Sequence, residues 1–372
     1  MKKLFLLTIF FILINIQRAS AMAPTAFSAC VMNAATGEVI WEKNGYDQHS
    51  MASTTKIMTA IVALEESGAD EVVRVSNTAA LTEGSSMYLH GGDEFLMRDL
   101  LYGLMLNSGN DAAMAIAEHM SQSVEGFAEL MNQKALEIGA TDTKFQNPSG
   151  LDADGHYTTA YDLALITKYA LQNPEFCDIV LTRYTEVRPQ NNNRLLPLAN
   201  HNRLLSDYEG CIGVKTGYTK STGRCLVSAA TRDGMTFVAV TLDDPDDWKN
   251  HKAMLDYCFE NYRPVEVISE GEIVKNVVIE GKRCDFVYQK SLTIPVKINE
   301  KADIEVKNHI VPTIVGGINK GEKVGEGGIY YKGEKLSEID IVSAREIPPV
   351  EAFRIRRSFW GVFNIMLKNF LF

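Results

Sequence analysis

The chain has 372 residues, of which 46% are hydrophobic and 23% charged, a composition that is ordinary for a folded protein and excludes wholesale disorder. Its length predicts two or three domains with ample hydrophobic core. The 47 acidic residues outnumber the 37 basic ones, so the net charge is −10; a general nucleic-acid-binding protein is excluded, because phosphate contacts need clustered positive charge.

The N-terminus predicts a secretory signal peptide over residues 1–21. Two lysines follow the first methionine, and residues 4–16 form an almost unbroken apolar run. Small residues occupy 19–21, the positions that a signal peptidase recognises before its cleavage site. The alternative is a retained anchor helix, but the apolar run is too short to cross a bilayer comfortably. We therefore expect an exported protein.

Residues 22–262 predict one α+β domain, in which a strand hairpin is followed by several helices, three strands and a last helix. The strands from the two ends of this region must then share one sheet. The predicted strands are 27–31, 38–42, 211–216, 225–230 and 237–242, and the predicted helices are 53–66, 95–107, 111–120, 124–138, 161–171 and 249–260.

Residues 263–347 predict a small all-β domain. Beyond Pro264 the chain consists of short runs rich in valine and isoleucine, separated by glycine and charged residues. It contains no cluster of histidine or cysteine and no aromatic platform, so we interpret it as a spacer or stabilising module rather than a catalytic domain.

Residues 348–372 predict an amphipathic helix that lies in the membrane interface. Pro348 and Pro349 separate it from the preceding domain, and from residue 353 onward it has four basic residues and no acidic one. Its apolar residues recur at helical spacing on one side, with polar and basic residues largely on the other. The alternative is a helix that packs against the protein's own core.

Three further features receive no function in this interpretation. Six cysteines occur without any C-x-x-C pair, which argues against a zinc site or a redox pair, and we expect mostly buried thiols. Four aspartates flank Pro245 and would suit a hard cation, but we interpret them as a solvated loop. His156 is interpreted as a structural loop residue, because a Ser-His-Asp triad on it would lack the G-x-S-x-G elbow.

Ser53 and Lys56 form an S-x-x-K pattern at the start of the predicted helix 53–66. If Ser53 opens that helix, Lys56 lies one turn further on the same face, and free backbone N–H groups lie beside the serine oxygen. A serine hydroxyl needs a base to act as a nucleophile, and a lysine serves when burial and nearby positive charge lower its pKa. The pattern alone is weak, because about one match is expected by chance in a chain of this composition.

Ser108 and Asn110 lie at a break between two predicted helices. A loop there aims a hydroxyl and an amide into a cleft, where they suit a proton relay and a hydrogen bond to substrate. A helix-capping turn explains the same residues, so this motif assigns no function on its own.

Lys215, Thr216 and Gly217 end a predicted strand, with Tyr218 next. A strand edge offers N–H groups to an extended peptide, lysine and threonine hold a carboxylate, and glycine leaves room for a close backbone approach. The alternative is a strand that runs into a turn, but a chance K-T-G is expected in only about one chain in ten of this length.

In this order, the three motifs resemble those of the serine-type D-Ala-D-Ala carboxypeptidases, low-molecular-mass penicillin-binding proteins with a β-rich second domain and a C-terminal amphipathic anchor. Flanking segments are also similar to that family: SSMYL at 85–89, LLYGLM at 100–105, NPSGL at 147–151 and GRCLV at 223–227. The resemblance covers the whole chain. It implies a β-lactamase/DD-peptidase-like α+β domain, a mostly antiparallel sheet with helices on both faces, followed by the small all-β domain.

The resemblance also implies catalytic roles. Ser53 would attack the carbonyl between the two terminal D-alanines of a peptidoglycan stem peptide, and Lys56 would take its proton. Ser108 would pass the proton to the leaving D-alanine, while Asn110 would hold Lys56 and the substrate amide.

Binding roles follow from the same resemblance. The backbone N–H groups of Ser53 and Tyr218 would form the oxyanion hole, and Lys215 and Thr216, with Gly217 beside them, would receive the terminal carboxylate. Penicillins would acylate Ser53, and no metal or cofactor is implied. The protein would work at the outer face of the cytoplasmic membrane, held by its C-terminal helix.

Three alternatives stay open at this point. A class A-like β-lactamase would need a deacylation base, typically in an E-x-x-L-N loop, and no such string occurs between Asn110 and Lys215. A DD-endopeptidase acting on cross-links shares the nucleophile and the motifs. A non-catalytic wall-binding protein is disfavoured, because a dead enzyme need not keep Ser53, Lys56 and Lys215.

Overall fold

The computed structural model describes most of the chain between residues 23 and 346. The predicted signal peptide (1–21) and the predicted C-terminal helix (348–372) lie outside the described residues. Within the part that is described, no helix combines the length and the apolarity that crossing a bilayer requires. The described residues are 23, 25–279, 282–310 and 318–346.

The chain divides into two compact units. The first runs to Val265 and also includes Thr293–Lys301, and the second comprises Glu266–Leu292 and the chain from Ala302 onward. A segment that composition groups with the β-rich domain therefore clusters with the first unit.

A five-stranded antiparallel sheet is the framework of the first unit. The strands of this unit are β1 (Ser28–Asn33), β2 (Val39–Lys43), β3 (Val72–Arg74), β4 (Glu94–Leu96), β5 (Tyr184–Val187), β6 (Leu196–Ala199), β7 (Cys211–Thr219), β8 (Gly223–Arg232) and β9 (Met235–Leu242). The sheet has the order β2-β1-β9-β8-β7. The prediction that the N-terminal hairpin and the three late strands share one sheet is confirmed, and β7 forms an edge of it.

Helices pack on both faces of this sheet, which confirms the predicted fold class. They are α1 (Lys56–Glu66), α2 (Asn77–Ala80), α3 (Met97–Leu106), α4 (Asn110–Ser121), α5 (Val124–Ile138), α6 (Ala160–Ala170), α7 (Pro174–Leu181), α8 (Leu204–Asp207) and α9 (Asp247–Asn261). Alternate residues of β1 show the two faces: Cys30 and Met32 belong to the buried cluster that contains α1. Ala29 and Val31 belong to a second buried cluster, which contains Met254 of α9.

Local sequence signals explain where several helices begin and end. Ser123 accepts a hydrogen bond from the Gly126 N–H (2.9 Å) at the start of α5, and Gly139 ends that helix with a φ of 90°. Asn173 caps α7 in the same way, immediately before Pro174 at its first position.

The second unit is built on another five-stranded antiparallel sheet, and its described residues contain no helix. The strands from residue 262 onward are β10 (Tyr262–Ile268), β11 (Ile273–Ile279), β12 (Lys282–Tyr288), β13 (Leu292–Lys297), β14 (Ile304–Ile310), β15 (Lys323–Tyr331) and β16 (Glu334–Ser343). The sheet has the order β11-β12-β16-β15-β14, and β10 pairs with β13 separately. The prediction of a small all-β domain is confirmed.

Candidate active site

Ser53 lies at the start of a helix, in a turn with an unusual backbone conformation. It is the second residue of a 3-10 turn, Ala52–Thr55, which leads directly into α1. Ala52 has a φ of 46°, in the left-handed region that residues other than glycine rarely adopt. Gly150 packs so closely on this turn that a Cβ on it would lie 1.9 Å from the Ala52 carbonyl oxygen, so only glycine fits there.

Lys56 lies one turn after Ser53, and its side chain is completely buried. Its Nζ is 3.0 Å from Ser53 Oγ, 2.7 Å from Asn110 Oδ1 and 2.5 Å from the Ser149 carbonyl oxygen. A neutral amine has two N–H groups and one lone pair. The amide and carbonyl oxygens accept the two N–H groups, which leaves the lone pair for the serine hydroxyl.

The surroundings favour the neutral form of Lys56. Burial is the main reason why the pKa of Lys56 lies well below its ordinary value; the charge of Lys215 lowers it further, whereas Asp111 opposes the shift. Burial also lowers the pKa of Lys215 to about 7. A lysine with a lowered pKa is present as the free amine closer to neutral pH, where it is able to accept a proton.

Ser108 and Asn110 lie in the tight connection between α3 and α4. Ser108 has a φ of 59° and lines the same cavity as Ser53. Asn110 begins α4; its Oδ1 accepts a hydrogen bond from Lys56, and its Nδ2 donates one to the Glu83 carbonyl oxygen (2.7 Å). Asn110 therefore ties the lysine amine to the segment that follows α2.

Asp111, the next residue, holds that same segment against α4. Its buried carboxylate accepts hydrogen bonds from Ser86 Oγ (2.6 Å) and from the backbone N–H groups of Met87 and Leu89 (both 3.0 Å). The segment at 85–89, which the sequence marked only as similar to a family, thus forms part of the wall beside the site.

The K-T-G motif lies on the edge strand β7, which passes the start of the Ser53 turn. A Cβ on Gly217 would lie 3.1 Å from Ser53 N, so glycine allows the strand to approach the backbone of the serine closely. Lys215 is buried and its Nζ donates a hydrogen bond to the Thr216 carbonyl oxygen (2.9 Å), whereas Tyr218 is 64% exposed. The motif therefore reaches the serine through its backbone.

A loop at 147–151 completes the surroundings of Lys56, and sequence analysis did not assign it to the site. The Ser149 carbonyl oxygen accepts the second N–H of the amine, and Asn110 accepts the other. Asn147 Oδ1 shapes the loop, because it accepts the backbone N–H groups of Ser149 (3.1 Å) and Gly150 (2.8 Å). The contact to Lys56 is made by a backbone carbonyl, which has no side-chain signature in a sequence.

His156 binds the turn that carries Ser53. Its Nδ1 accepts the backbone N–H of Gln146 (3.0 Å), so the ring proton is on Nε2, which donates to Thr55 Oγ1 (2.8 Å). Burial lowers the pKa of His156 to about 4, which keeps the ring neutral near pH 7. The histidine is thus a positioning residue that acts through Thr55. Its hydrogen bond holds the Thr55 side chain, and Thr55 belongs to the same turn as Ser53.

A cavity of about 310 Å³ brings the three motifs together. Lys56, Asn110 and Lys215 are buried beside it, with 0, 4 and 2% of their surface exposed. The arrangement places a serine hydroxyl, 3.0 Å from a buried amine, at the wall of an open space beside a strand edge. The lining residues are Ser53, Ser85, Ser108, His201, Thr216, Gly217, Tyr218, Arg224, Cys225, Asp247 and Trp248.

Six of these residues were not predicted to belong to a site: Ser85, His201, Arg224, Cys225, Asp247 and Trp248. The four aspartates around Pro245 were interpreted as a solvated loop, and this is wrong for Asp244 and Asp247, which are both buried. Asp247 is the one that lines the cavity. Its side chain is 3% exposed and accepts two hydrogen bonds from Arg224, at 3.1 and 3.0 Å. An acidic residue in the first turn of a helix is common, so its sequence position did not mark it.

Two sequence models of protein families match the chain. The model described as D-alanyl-D-alanine carboxypeptidase matches residues 15–246, and the one described as the C-terminal domain of penicillin-binding protein 5 matches residues 262–349. The chain belongs to the D-alanyl-D-alanine carboxypeptidase family. The resemblance seen in the three motifs is thereby confirmed.

Members of the D-alanyl-D-alanine carboxypeptidase family match most of the chain. The enzyme DacF of Bacillus subtilis is 31% identical over 344 residues, which cover 89% of this chain and 88% of the relative. The crystal structure of DacD from Francisella tularensis is 27% identical with a TM-score of 0.59 and covers 87% of this chain and 94% of its own. A mutant of the Streptomyces K15 DD-transpeptidase is 33% identical with a TM-score of 0.61, over 63% of this chain and 98% of its own.

Proposed function

We propose that this chain is a serine-type D-alanyl-D-alanine carboxypeptidase that removes the terminal D-alanine from peptidoglycan stem pentapeptides and so takes part in cell wall biogenesis. The reaction passes through an acyl-enzyme on Ser53. The observation that carries the proposal is the 3.0 Å separation of Lys56 Nζ and Ser53 Oγ, at a cavity that the K-T-G strand also lines.

In the acylation step, Ser53 Oγ bonds to the carbonyl carbon between the two terminal D-alanines, and its proton passes to the Lys56 amine. The backbone N–H groups of Ser53 and Tyr218 stabilise the negative charge that develops on the carbonyl oxygen. The C–N bond then breaks, and the proton passes from Lys56 through Ser108 Oγ to the nitrogen of the departing D-alanine. Ser108 suits this relay because it lines the cavity together with Ser53.

In the deacylation step, a water molecule adds to the ester carbonyl and gives a proton to Lys56. The proton returns to Ser53 Oγ as the C–O bond breaks, which frees the shortened peptide. The Asn110 amide oxygen and the Ser149 carbonyl hold the Lys56 amine through both steps, because they bind the two N–H groups that the neutral form keeps.

Substrate binding involves the strand edge and the K-T-G side chains. The extended peptide pairs with the edge of β7, as peptides do at exposed sheet edges. Lys215 and Thr216 receive the terminal carboxylate, and Asn110 holds the substrate amide. β-Lactam antibiotics acylate Ser53 in place of the peptide, because their strained amide mimics the terminal dipeptide.

The decisive experiment uses the chain from residue 22 onward and a stem pentapeptide that ends in D-Ala-D-Ala. Mass spectrometry is expected to show the loss of one alanine residue, and a control peptide that ends in L-alanine is expected to stay intact. An unchanged pentapeptide would refute the proposal.

The same assay separates the alternatives. Cleavage of cross-linked peptide dimers without pentapeptide trimming would indicate an endopeptidase, and rapid turnover of penicillin would indicate a β-lactamase. Transfer of the peptide to an added amine instead of water would indicate a transpeptidase, the activity named for the Streptomyces K15 relative.

The site of action that we propose is the outer face of the cytoplasmic membrane. The signal peptide at 1–21 supports export. The basic, aromatic-rich pattern at 348–372 supports a peripheral attachment, because such helices bury their apolar side at the lipid boundary and their basic residues attract anionic lipids.

Removing residues 353–372 is therefore expected to abolish sedimentation with anionic lipid vesicles. The rate of D-alanine release in solution should stay within about twofold of the longer protein, because the helix contributes to membrane binding and not to the site. Vesicles of neutral lipid serve as the control and should bind the longer protein more weakly. A shortened protein that still sediments with anionic vesicles would refute the anchor.

A further inference from the structure

A carboxylate outside the three motifs connects the segments that carry them. Asp152 directly follows the 147–151 loop, whose Ser149 carbonyl oxygen holds the Lys56 amine at 2.5 Å. Its side chain is bound by residues 219–222, which form the turn from β7 to β8 just after the K-T-G motif. The mechanism above gives this carboxylate no role.

Three hydroxyl groups of the turn donate hydrogen bonds to Asp152. Ser221 Oγ donates to Oδ2 at 2.5 Å and Thr219 Oγ1 donates to Oδ1 at 2.9 Å, while Thr222 Oγ1 adds a longer bond to Oδ1 at 3.4 Å. The bond from Ser221 has the length of a charge-assisted hydrogen bond, which is about twice as strong as one between neutral groups. This bond is also the main reason why the pKa of Asp152 lies below its ordinary value. Asp152 therefore binds the turn as an ionised acceptor.

The same network reaches the chain that leads into the Ser53 turn. Thr222 is completely buried, and its Oγ1 lies 2.7 Å from Ser50 Oγ. Because a hydroxyl has one proton and Thr222 gives its proton to Asp152, Thr222 accepts the proton of Ser50. Ser50 lies three residues before Ser53. The Asp152 carboxylate thus joins the loop that holds Lys56, the end of the K-T-G strand and the entry to the nucleophile turn.

The mechanism needs atoms from all three of these parts in a fixed arrangement. The Lys56 amine must lie beside Ser53 Oγ when the proton moves. The N–H groups of Ser53 and Tyr218 must both point at the carbonyl oxygen, and Tyr218 directly precedes Thr219. A displacement of about 1 Å in such groups costs up to about 100-fold in rate. The bonds from Thr219 and Ser221 to Asp152 limit the movement of this end of β7 relative to the 147–151 loop.

We infer that Asp152 is a positioning residue that holds the end of β7 and the loop around Lys56 in register beside Ser53. The inference rests on the proposed function, since the atoms that Asp152 positions are those of the acylation step. Asp152 acts through the Thr219 hydroxyl and through its backbone connection to Ser149. Because the Asp152 side chain is exposed, its removal should leave the hydrophobic core intact.

The test measures acylation of Asp152→Ala by a chromogenic β-lactam in stopped flow, divided by the number of sites that a fluorescent penicillin labels. The rate constant per labelled site is expected to fall by about 10- to 100-fold. With the stem pentapeptide the loss should appear in kcat, and KM should change less than about threefold, because the base and the oxyanion donors stabilise the transition state. A merely structural role would lower the number of labelled sites and leave the rate per site unchanged, and that result would overturn the inference.

Asp154→Ala is the matched control. Asp154 lies two residues further along the same loop and is also exposed, but among the described residues the hydroxyl groups of the turn bind Asp152 and not Asp154. Both variants remove one negative charge. Asp154→Ala should be acylated within about twofold of the parent rate. An equal loss in the two variants would show that charge alone matters, and the inference would be wrong.

A double variant approaches the same network from the turn. Thr219→Val with Ser221→Ala removes two of the donors and leaves the carboxylate in place. It should lose at least about tenfold in the rate per labelled site, and adding Asp152→Ala should cost less than a further twofold or so, because the groups act together. Should Asp152→Ala fail to fold in thermal melts, an unchanged rate per site in the double variant refutes the inference.

These measurements also separate the inference from the proposed function. A parent protein that releases no D-alanine from the stem pentapeptide refutes the proposed function. An active parent whose Asp152→Ala variant keeps its rate per labelled site refutes only the role of Asp152.

Discussion

Replacing Ser53 by alanine is expected to abolish D-alanine release and covalent labelling by a fluorescent penicillin. The change removes the hydroxyl oxygen that lies 3.0 Å from the Lys56 amine, so the base has no nucleophile to activate. Loss of a serine nucleophile costs on the order of 10⁴-fold or more in kcat. Fluorescence of the labelled protein on a denaturing gel and an assay of free D-alanine measure the two effects.

Ser67→Ala provides the matched control for this variant. Ser67 lies at the opposite end of α1, and its Oγ donates a hydrogen bond to Glu71 (2.6 Å). The control should keep both activities, because it removes the same atom far from the cavity. Labelling that persists in Ser53→Ala would exclude Ser53 as the nucleophile.

Replacing Lys56 by alanine is expected to lower the rate constant of acylation by about 10²- to 10⁴-fold. The variant removes the base, and it also leaves Asn110 Oδ1 and the Ser149 carbonyl without their donor. Lys134→Ala is the control, because the Lys134 amine forms ion pairs with Glu65 and Glu137 and contacts none of the three motifs. A loss below about tenfold in Lys56→Ala, measured with a β-lactam in stopped flow, would argue against a general base.

The pH dependence tests the same role of Lys56. The base must be neutral, so kcat/KM rises with pH through the pKa of Lys56, which burial and then Lys215 hold well below its ordinary value. Lys215→Gln removes one of these causes and should move the acidic limb of the profile to higher pH. A limb that stays in place or moves to lower pH would contradict the electrostatic account.

The sequence allowed the motif residues of the site to be predicted because their relation is local. Three residues from Ser53 to Lys56 are about one helical turn, and the structure places their side-chain atoms 3.0 Å apart. The other contacts of the site join distant parts of the chain. Thr55 and His156 are 101 residues apart, and a sequence without an alignment does not pair them.

The pairing of Arg224 with Asp247 illustrates the same limit. The two residues are 23 positions apart, and β9 lies between them in the chain. Their contact depends on how α9 returns to the sheet, which the pattern of apolar residues does not specify. The acidic residues around Pro245 therefore look alike in the sequence, although Asp244 and Asp247 are buried.

Long periodic elements were predicted well, and short ones were missed. The predicted hairpin at 27–31 and 38–42 corresponds to β1 and β2, and the predicted helix at 249–260 corresponds to α9. The pairs β3–β4 and β5–β6 consist of strands of three or four residues, too short for a period to be visible. The predicted helix at 53–66 begins instead as a 3-10 turn, Ala52–Thr55, on which Gly150 packs closely.

Because Thr293–Lys301 belongs to the first unit, the first unit cannot complete its folding early in biosynthesis. Asn33 Nδ2 donates a hydrogen bond to the Pro295 carbonyl oxygen (3.2 Å), and Ile298 N–H donates one to the Asn261 carbonyl oxygen (2.8 Å). A chain that is made from its N-terminus cannot form both of these bonds until residue 298 has been made, after part of the second unit. Until then the Asn33 side-chain amide, which is buried in the folded protein, lacks its acceptor. The first unit can therefore complete its structure only after part of the second unit has been translated.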